Sequence, residues 1–378
     1  MLSGGVDSSV SAYLLKRAGF KVVGVYFKRY KPDGDKSICK DDGLSAQKVA
    51  KELSIDFKVY DLEKEYKEKV FEYMLDSYKS GLTPNPDIVC NREIKFGDFA
   101  KRAFEEGADY ISSGHYARLV FYIYILGIGF RVPRFLFNKL KFLNHKVLIQ
   151  EARDKNKDQS YFLSQVSPEI LERSIFPLGK MKSKKDTRKI AEKIKIHTAK
   201  RKDSQGICFI GKKIKVKDFL KKYIKLSPGF VYDLKGRKIG EHEGVELYTI
   251  GERRGFKLFP DFQSDNTPAL YVIRKNLDDK SLVVGSKEEF ERENAKIKFL
   301  KGDRLKIFKS IDLKKRYLLR IRHRGEKSSC KILELDNNSL VLELEEPVFA
   351  PSPGQFLALY DKDKLLLSAE IKEILSEI

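Results

Sequence analysis

The sequence predicts an α/β fold, a doubly wound parallel sheet followed by a small β-rich central domain and a C-terminal β-barrel. Three observations predict it. Short β-branched or aromatic runs at residues 21–27, 57–61 and 109–115 alternate with helical patterns at 44–53, 64–81 and 93–106. Alternation of that kind lays parallel strands side by side with helices as crossovers. The chain also opens on a glycine turn that runs straight into a helical pattern, Met1-Leu2-Ser3-Gly4-Gly5-Val6-Asp7-Ser8-Ser9. From Val216 the pattern changes: residues 227–240 read as two strands around a Lys-Gly turn, and 296–300, 304–308, 317–324, 329–335, 339–344 and 356–360 read as the strands of a small barrel. At 378 residues the chain exceeds one core, and the divisions expected are 1–211, 212–288 and 289–378.

The opening turn carries the first functional signal. Without a Cβ, Gly4 and Gly5 can take positive φ and bring consecutive amides close to an anion. The serines suit the cap and first turn of a helix bearing Val10, Tyr13, Leu14 and Arg17, so its positive end lies under the same anion. The lysine and spacing of a Walker A loop are missing, as is the third glycine of a dinucleotide fingerprint. Such a turn ordinarily follows a buried strand, yet only Met1 and Leu2 precede it. The expected first strand is therefore missing, which points to a start upstream of Met1 and to a groove in the centre of the sheet.

Lysine and arginine total 75 against 54 acidic residues, a formal charge of +21, enough to concentrate a polyanion and make its binding salt-dependent. Nucleic acid is the natural partner; lysines spread evenly over solvated faces are the alternative. Four cysteines, Cys39, Cys90, Cys208 and Cys330, form no CxxC pair, which excludes a disulfide scaffold and a zinc knuckle and fits a reducing cytoplasm. No basic-then-apolar leader opens the chain. Residues 119–130 are almost wholly apolar, but twelve residues cannot span a bilayer, which takes about 20. They and the basic, Phe- and Leu-rich stretch up to residue 146 read as an added hairpin or amphipathic helix covering a domain surface, with a membrane-surface or partner-binding patch as the alternative.

Within the loop Leu82-Thr83-Pro84-Asn85-Pro86-Asp87-Ile88-Val89-Cys90-Asn91, two prolines stiffen the backbone and Cys90 falls just before the predicted helix 93–106. A thiol at a helix N-terminus, with Arg92 and Lys95 nearby, is poised as a thiolate. A small buried cysteine is the structural alternative.

Ser3-Gly4-Gly5-Val6-Asp7-Ser8-Ser9 resembles the PP-loop of ATP pyrophosphatases, and further motifs narrow the resemblance to tRNA-specific 2-thiouridylases. These are Asn85-Pro86-Asp87 with Cys90, Gly114-His115-Tyr116-Ala117-Arg118, Asn156-Lys157-Asp158-Gln159-Ser160-Tyr161-Phe162-Leu163, Asp203-Ser204-Gln205-Gly206-Ile207-Cys208-Phe209-Ile210-Gly211, and Tyr248 to Gly255, where Arg253 and Arg254 would meet phosphate. The resemblance implies an ATP site from Leu2, Ser3, Gly4, Gly5, Val6, Asp7, Ser8, Ser9, Phe27 and Gly114. It implies tRNA contacts from Asn85, Pro86, Asp87, His115, Lys157, Asp158, Gln159, Arg322, His323 and Gln355; the family more often carries Tyr where His323 stands. Cys208 would carry a persulfide from a cysteine desulfurase or relay protein, and Cys90 would be the nucleophile that closes a disulfide with it. The implied reaction is ATP-dependent adenylation of carbon-2 oxygen of a wobble uridine followed by sulfur transfer, with Mg²⁺ accompanying ATP. No metal-ligand set is legible, although Asp7 is placed for a metal or phosphate role. An iron–sulfur cluster with Cys39 as third ligand stays a minor alternative. So do a PP-loop ligase or amidase acting on a small molecule, and an RNA-binding protein without chemistry.

Overall fold

The computed structural model describes residues 1–32, 37–125, 128–140, 143–203, 215–253, 255–263 and 267–377, the side chains of 37–40 excepted. Cys208 and Arg254 lie outside the described residues, as does the side chain of Cys39.

In the N-terminal part the strands β1 (Val23–Lys28) and β2 (Asp56–Asp61) pair in parallel, as do β3 (Ile111–Ser112) and the later β7 (Ser174–Ile175). The helices Val6–Arg17, Ser37–Glu52 and a run from Glu63–Tyr66 to Glu72–Lys79 connect and cover them, as the alternating pattern required. The two pairs are separate two-stranded sheets. Between them lie Met1 and Leu2: the Leu2 amide donates to Val25 O (2.7 Å) and the Met1 amine to Ser112 O (2.7 Å). Leu2 is 2% exposed, so these two residues carry the turn that follows into the centre of the α/β unit.

The stretch expected as an added hairpin or amphipathic helix forms both a hairpin and a helix. Strands β4 (Ala117–Ile125), β5 (Ile128–Val132) and β6 (His145–Glu151) make an antiparallel sheet, with helix Arg134–Leu140 between the last two. Phe137 from that helix is buried against Phe121, ring centroids 4.9 Å apart. Ile128, Phe130 and Phe135 remain exposed.

The central unit is a five-stranded sheet, from β8 (Gly229–Tyr232), β9 (Lys238–His242), β10 (Lys257–Leu258), β11 (Tyr271–Asn276) and β12 (Ser281–Gly285), in the order β10-β9-β8-β12-β11. The C-terminal strands are β13 (Phe299–Ile307), β14 (Arg316–Arg320), β15 (Ser328–Leu335), β16 (Leu340–Leu344), β17 (Phe356–Asp361) and β18 (Lys364–Leu375). They run β13-β16-β15-β14-β17-β18 and close through a β13–β18 pairing, a six-stranded barrel that leaves no open edge. Two runs expected at 296–300 and 304–308 are one strand, β13. The strand expected over 317–324 stops at Arg320, and Arg324 (φ 61°) sits in the turn beyond. Strand β18 also meets β6 at Lys364–Gln150, which joins the barrel to the inserted hairpin in one continuous sheet.

Candidate active site

Gly4 takes φ 74°, and a Cβ there would lie 2.5 Å from Asp42 O; only glycine allows helix Ser37–Glu52 to press so close. The helix Val6–Arg17 then starts from Gly5 with no side chain capping it, which leaves its first turn to an anion. The serines, expected to suit the cap, brace the turn instead. Ser8 Oγ accepts from the Ser3 amide (3.1 Å) and lies 3.1 Å from Gly5 O, while Ser9 Oγ donates to Gly5 O at 2.8 Å. Arg201 Nη1 and Ser45 Oγ donate to Gly4 O (2.7 and 3.0 Å). At Gly114 a Cβ would sit 2.9 Å from the Ser8 amide nitrogen, so this residue has to be small for the strand end to approach the turn.

Asp7, in the first turn of that helix, opens a charged corner. Lys184 Nζ lies 2.6 Å from both Asp7 oxygens, and the Tyr116 hydroxyl donates to Asp7 Oδ1 at 2.8 Å. Lys184 also reaches Asp203 (3.1 Å), which binds Lys157 (3.0 Å) and Arg188 (2.8 Å). Burial would raise the Asp203 carboxyl, but Lys157 and Lys184 outweigh it and hold it below its usual range. Burial, then Asp7, pushes the Tyr116 phenol up, so it stays a donor. Asp203, the last described residue before Cys208 in the chain, is tied through Lys184 to the glycine turn. Sequence reasoning assigned no role to Lys184, Arg188, Arg201 or Asp203.

The cysteine loop differs from expectation. Asn85 Oδ1 accepts from the Ile88 amide (3.2 Å), and the helix begins at Pro86. Asn-Pro at a cap and first turn is a legible start signal. Cys90 thus lies one turn inside a helical run that continues as a π-helix, Cys90–Asp98, rather than at an N-terminus, so the helix start does not favour its thiolate as expected. It is 5% exposed. Beside it, Asn91 Nδ2 donates to Phe162 O and Lys95 donates to Asn91 Oδ1 (2.8 and 2.9 Å). Burial raises the Asp87 carboxyl, with Lys95 opposing it.

The run 156–163 is a fastening between units. Gln159 Oε1 accepts from the Tyr116 amide (3.0 Å), and Asp158 accepts from the Ala152 amide (2.8 Å) and Arg320 Nη1 (3.1 Å). The Tyr161 hydroxyl reaches Ile321 O and Phe356 O on the barrel (2.9 and 2.8 Å). Asp158 is 4% exposed, and an RNA contact is closed to it in this arrangement. The same holds for His115, 8% exposed, with Nδ1 on Ser113 Oγ (2.7 Å) and its ring against both Phe96 and Phe176; burial, then Lys95, drives its pKa well below 6.5. Phe27 packs edge-on to Phe99, centroids 6.0 Å apart.

The barrel meets the cysteine loop directly. The Thr83 amide donates to Pro353 O (2.8 Å), and a Cβ on Gly354 (φ 86°) would lie 2.8 Å from Leu82 Cβ. The His323 ring lies on Phe162 with centroids 4.3 Å apart. Among the described residues, Arg322 Nε, His323 Nδ1 and Gln355 Oε1 are buried atoms without a hydrogen-bond partner, although Arg322 Nη2 donates to Ala350 O (2.6 Å). Asn85 to Cys90, Phe162 and these barrel residues thus share one face.

Comparison with known proteins decides the family. Residues 1–212 match the family model of the tRNA methyl transferase HUP domain, 217–286 that of the tRNA methyl transferase PRC-barrel domain, and 296–371 the aminomethyltransferase beta-barrel domain. The chain is 37% identical to the tRNA-specific 2-thiouridylase MnmA of Staphylococcus saprophyticus over all of its length and 95% of that relative's. It belongs to the tRNA-specific 2-thiouridylases. Further 2-thiouridylases are equally similar: MnmA 1 of Geobacillus kaustophilus is 37% identical over 99% of this chain and 95% of its own, and MnmA of Proteus mirabilis 37% over 98% and 95%. As a 2-thiouridylase, the chain joins its cysteine loop and barrel directly through Phe162 and Tyr161, and reaches its glycine turn from Lys157 by way of Asp203 and Lys184.

Proposed function

We infer that this chain makes 2-thiouridine in tRNA with consumption of ATP. The observation that carries the inference is the likeness to 2-thiouridylases over the whole length, not one domain. The charged glycine-turn corner and the barrel tip with its unpartnered polar atoms support it. No helix among the described residues is long and apolar enough to cross a membrane; the compartment proposed is the cytoplasm, and the domain divisions proposed are 1–211, 212–288 and 289–378.

The carbon-2 oxygen of uracil leaves poorly, so it must first attack the α-phosphate of ATP and expel pyrophosphate. In the proposed site Leu2 to Ser9, Phe27 and Gly114 form the nucleotide seat. The unfilled helix start stabilises charge developing on the phosphates, and Lys184, now on Asp7, is the cation within reach of them. Among the described residues no three His, Cys, Asp or Glu converge as a metal site. Mg²⁺ would arrive on the triphosphate with Asp7 as its protein carboxylate, and would supply charge neutralisation.

Asn85, Pro86 and Asp87 receive the flipped uridine, with Arg322, His323 and Gln355 facing the same RNA and Lys157 and Gln159 at its margin. His115 and Asp158 act from behind, by holding the Cys90 helix and the barrel in place. The terminal sulfur of a Cys208 persulfide, loaded by a cysteine desulfurase or a relay protein, attacks carbon 2, and AMP leaves with the former oxygen. Cys90 thiolate then attacks the Cys208 sulfur, which breaks the S–S bond to the base, forms the Cys90–Cys208 disulfide and releases 2-thiouridine. A thiol reductant reopens that disulfide for the next cycle.

The test is incubation of purified protein with ATP, a sulfide source and unmodified tRNA, with nucleoside analysis of the product. Wild type should yield 2-thiouridine, and Cys90→Ser and Cys208→Ser should yield none. Full activity of Cys208→Ser would sink the persulfide scheme, and pyrophosphate release with a small amide donor but not with tRNA would turn the reading towards a ligase.

A further inference from the structure

Behind the Gly114–His115 turn lies an open cleft of about 990 Å³, at the base of the inserted hairpin. Its lining includes Arg118, Arg131, Arg134, Arg153 and Lys180 and no acidic residue. Two of these cations are committed to the fold. Arg118 pairs with Asp363 (3.1 Å), and Arg134 donates to Glu172 O and Ser174 O and stacks over Phe121 (4.5 Å). Arg131, Arg153 and Lys180 are exposed and make no ion pair among the described residues. They come from three separate elements, β5, the residues after β6, and the turn Pro177–Lys180. Mutual repulsion of cations gathered in this way is relieved by a polyanion. The inserted stretch 119–146 points the same way, with Arg131, Arg134, Lys139, Lys141 and Lys146 and no Asp or Glu.

The cleft also lies directly behind the motif turn that carries His115. Phe176 lines it and packs its ring against His115, centroids 6.2 Å apart. We propose that this cleft is an additional binding site for the phosphodiester backbone of the tRNA substrate, with Arg131, Arg153 and Lys180 as its phosphate contacts. It rests on the 2-thiouridylase reading and extends the RNA footprint from the cysteine loop and barrel tip onto the inserted hairpin. Phosphates held at a distance from the reacting base add affinity and fix register without reading sequence. The three side chains should therefore act on KM for tRNA, not on kcat at saturation.

The experiment compares wild type with the combined variant Arg131→Glu, Arg153→Glu, Lys180→Glu, by tRNA binding across a potassium chloride series and by thiolation kinetics. The expected result is a tRNA Kd raised about tenfold or more at low salt, with the log Kd against log salt slope reduced by about two to three, near 0.9 per phosphate contact. KM should rise in parallel and kcat stay within about twofold. A photoreactive residue at position 153 should crosslink to tRNA in the otherwise wild-type chain, a result independent of any folding defect in the triple variant. Unchanged Kd and slope, or no crosslink while tRNA is thiolated, overturns the cleft and leaves the enzyme reading intact. So does loss of binding to phosphatidylglycerol vesicles with tRNA affinity unaltered, which would make the face a lipid surface. A wild type that neither binds nor thiolates tRNA overturns both.

Discussion

Two charged clusters in this molecule are made of the same side-chain types and differ in their access to water. In the Asp7–Lys184–Asp203 corner the carboxylates keep about a third of their surface, 33% and 29% exposed. In the seam between the catalytic unit and the barrel, Asp158 and Glu151 keep 3% and 5%, and Arg320 binds both at 3.1 Å with Lys327 on Glu151 at 2.7 Å. The half-open cluster can exchange a carboxylate partner for an incoming phosphate, because its carboxylates keep their contact with water when Lys184, itself 13% exposed, turns from them. The closed cluster cannot, because a buried charge stripped of its partner costs about 3–5 kcal/mol. Both clusters lie in motifs that resemble substrate-contacting runs, so a motif's closeness to its family does not say which of its residues touches substrate.

The sharpest way to break this contrast is Asp158→Ala. It should cost about 3–5 kcal/mol of stability by leaving Arg320 with Glu151 alone, read as a fall in the urea midpoint. Adding Arg320→Met should recover part of the loss, since the unpaired guanidinium is then removed. If Asp158→Ala is as stable as wild type, or the second change makes matters worse, the seam is not the closed network described.

The half-open cluster should respond the opposite way. Lys184→Met should lower the urea midpoint less than Asp158→Ala does, because the Asp7 and Asp203 carboxylates it leaves behind stay in contact with water. It should lower kcat/KM for thiolation about a hundredfold, a loss of roughly 2.7 kcal/mol in transition-state stabilisation. A variant that is unstable but fully active when folded would assign Lys184 to the scaffold.

These clusters also mark what the sequence could and could not disclose. The glycine turn was legible because its conformation is a local matter of two missing Cβ atoms. The barrel was legible from its short strands, except β18: Lys364-Leu365-Leu366-Leu367-Ser368-Ala369-Glu370-Ile371 has the Leu, Lys and Glu content of a helix, and only pairing with β13 and β17 makes it a strand. Lys184 gave no signal among 75 lysines and arginines, because its role depends on a neighbour 177 positions away. His115 and Asp158 were recognisable as motif residues, but burial, which decides whether they can meet RNA, is a tertiary property. The start of the Cys90 helix was readable from Asn85-Pro86 and was placed too late.

A smaller effect distinguishes the barrel tip from both clusters. Burial of His323, reinforced by Arg324, lowers its pKa from 6.5 to about 4. The unfolded chain then takes up its proton at higher pH than the folded one, so this group costs stability as pH falls from about 6.5 to about 4. Discounted for partial exposure, the cost is about 1–2 kcal/mol. His323→Tyr keeps an aromatic face on Phe162 and removes the titration, so it should lose less stability than wild type between pH 7 and pH 4.5. His115 titrates in the same direction, and some slope should survive. Equal slopes for the two proteins would place the His323 proton elsewhere.

The smallest effect is expected at Cys330, which tests whether buried position alone makes a thiol inert. Cys330 lies on β15 at 0% exposure, and burial, then Glu345, pushes its pKa up to about 12. Cys90 is almost as buried, yet it sits one turn along the helix that Asn85 caps and Pro86 and Asp87 begin, next to the loop whose Thr83 meets Pro353 of the barrel. A thiol held neutral is neither nucleophile nor leaving group, so Cys330→Ala should thiolate tRNA at the wild-type rate. Its loss of packing should cost about 1 kcal/mol. Native-state alkylation in the presence and absence of tRNA should leave Cys330 unlabelled throughout, whereas labelling of Cys90 should fall when tRNA covers its loop. A Cys330 that alkylates as fast as Cys90, or a Cys330→Ala protein without thiolation activity, would move the sulfur chemistry to the barrel and away from the glycine turn.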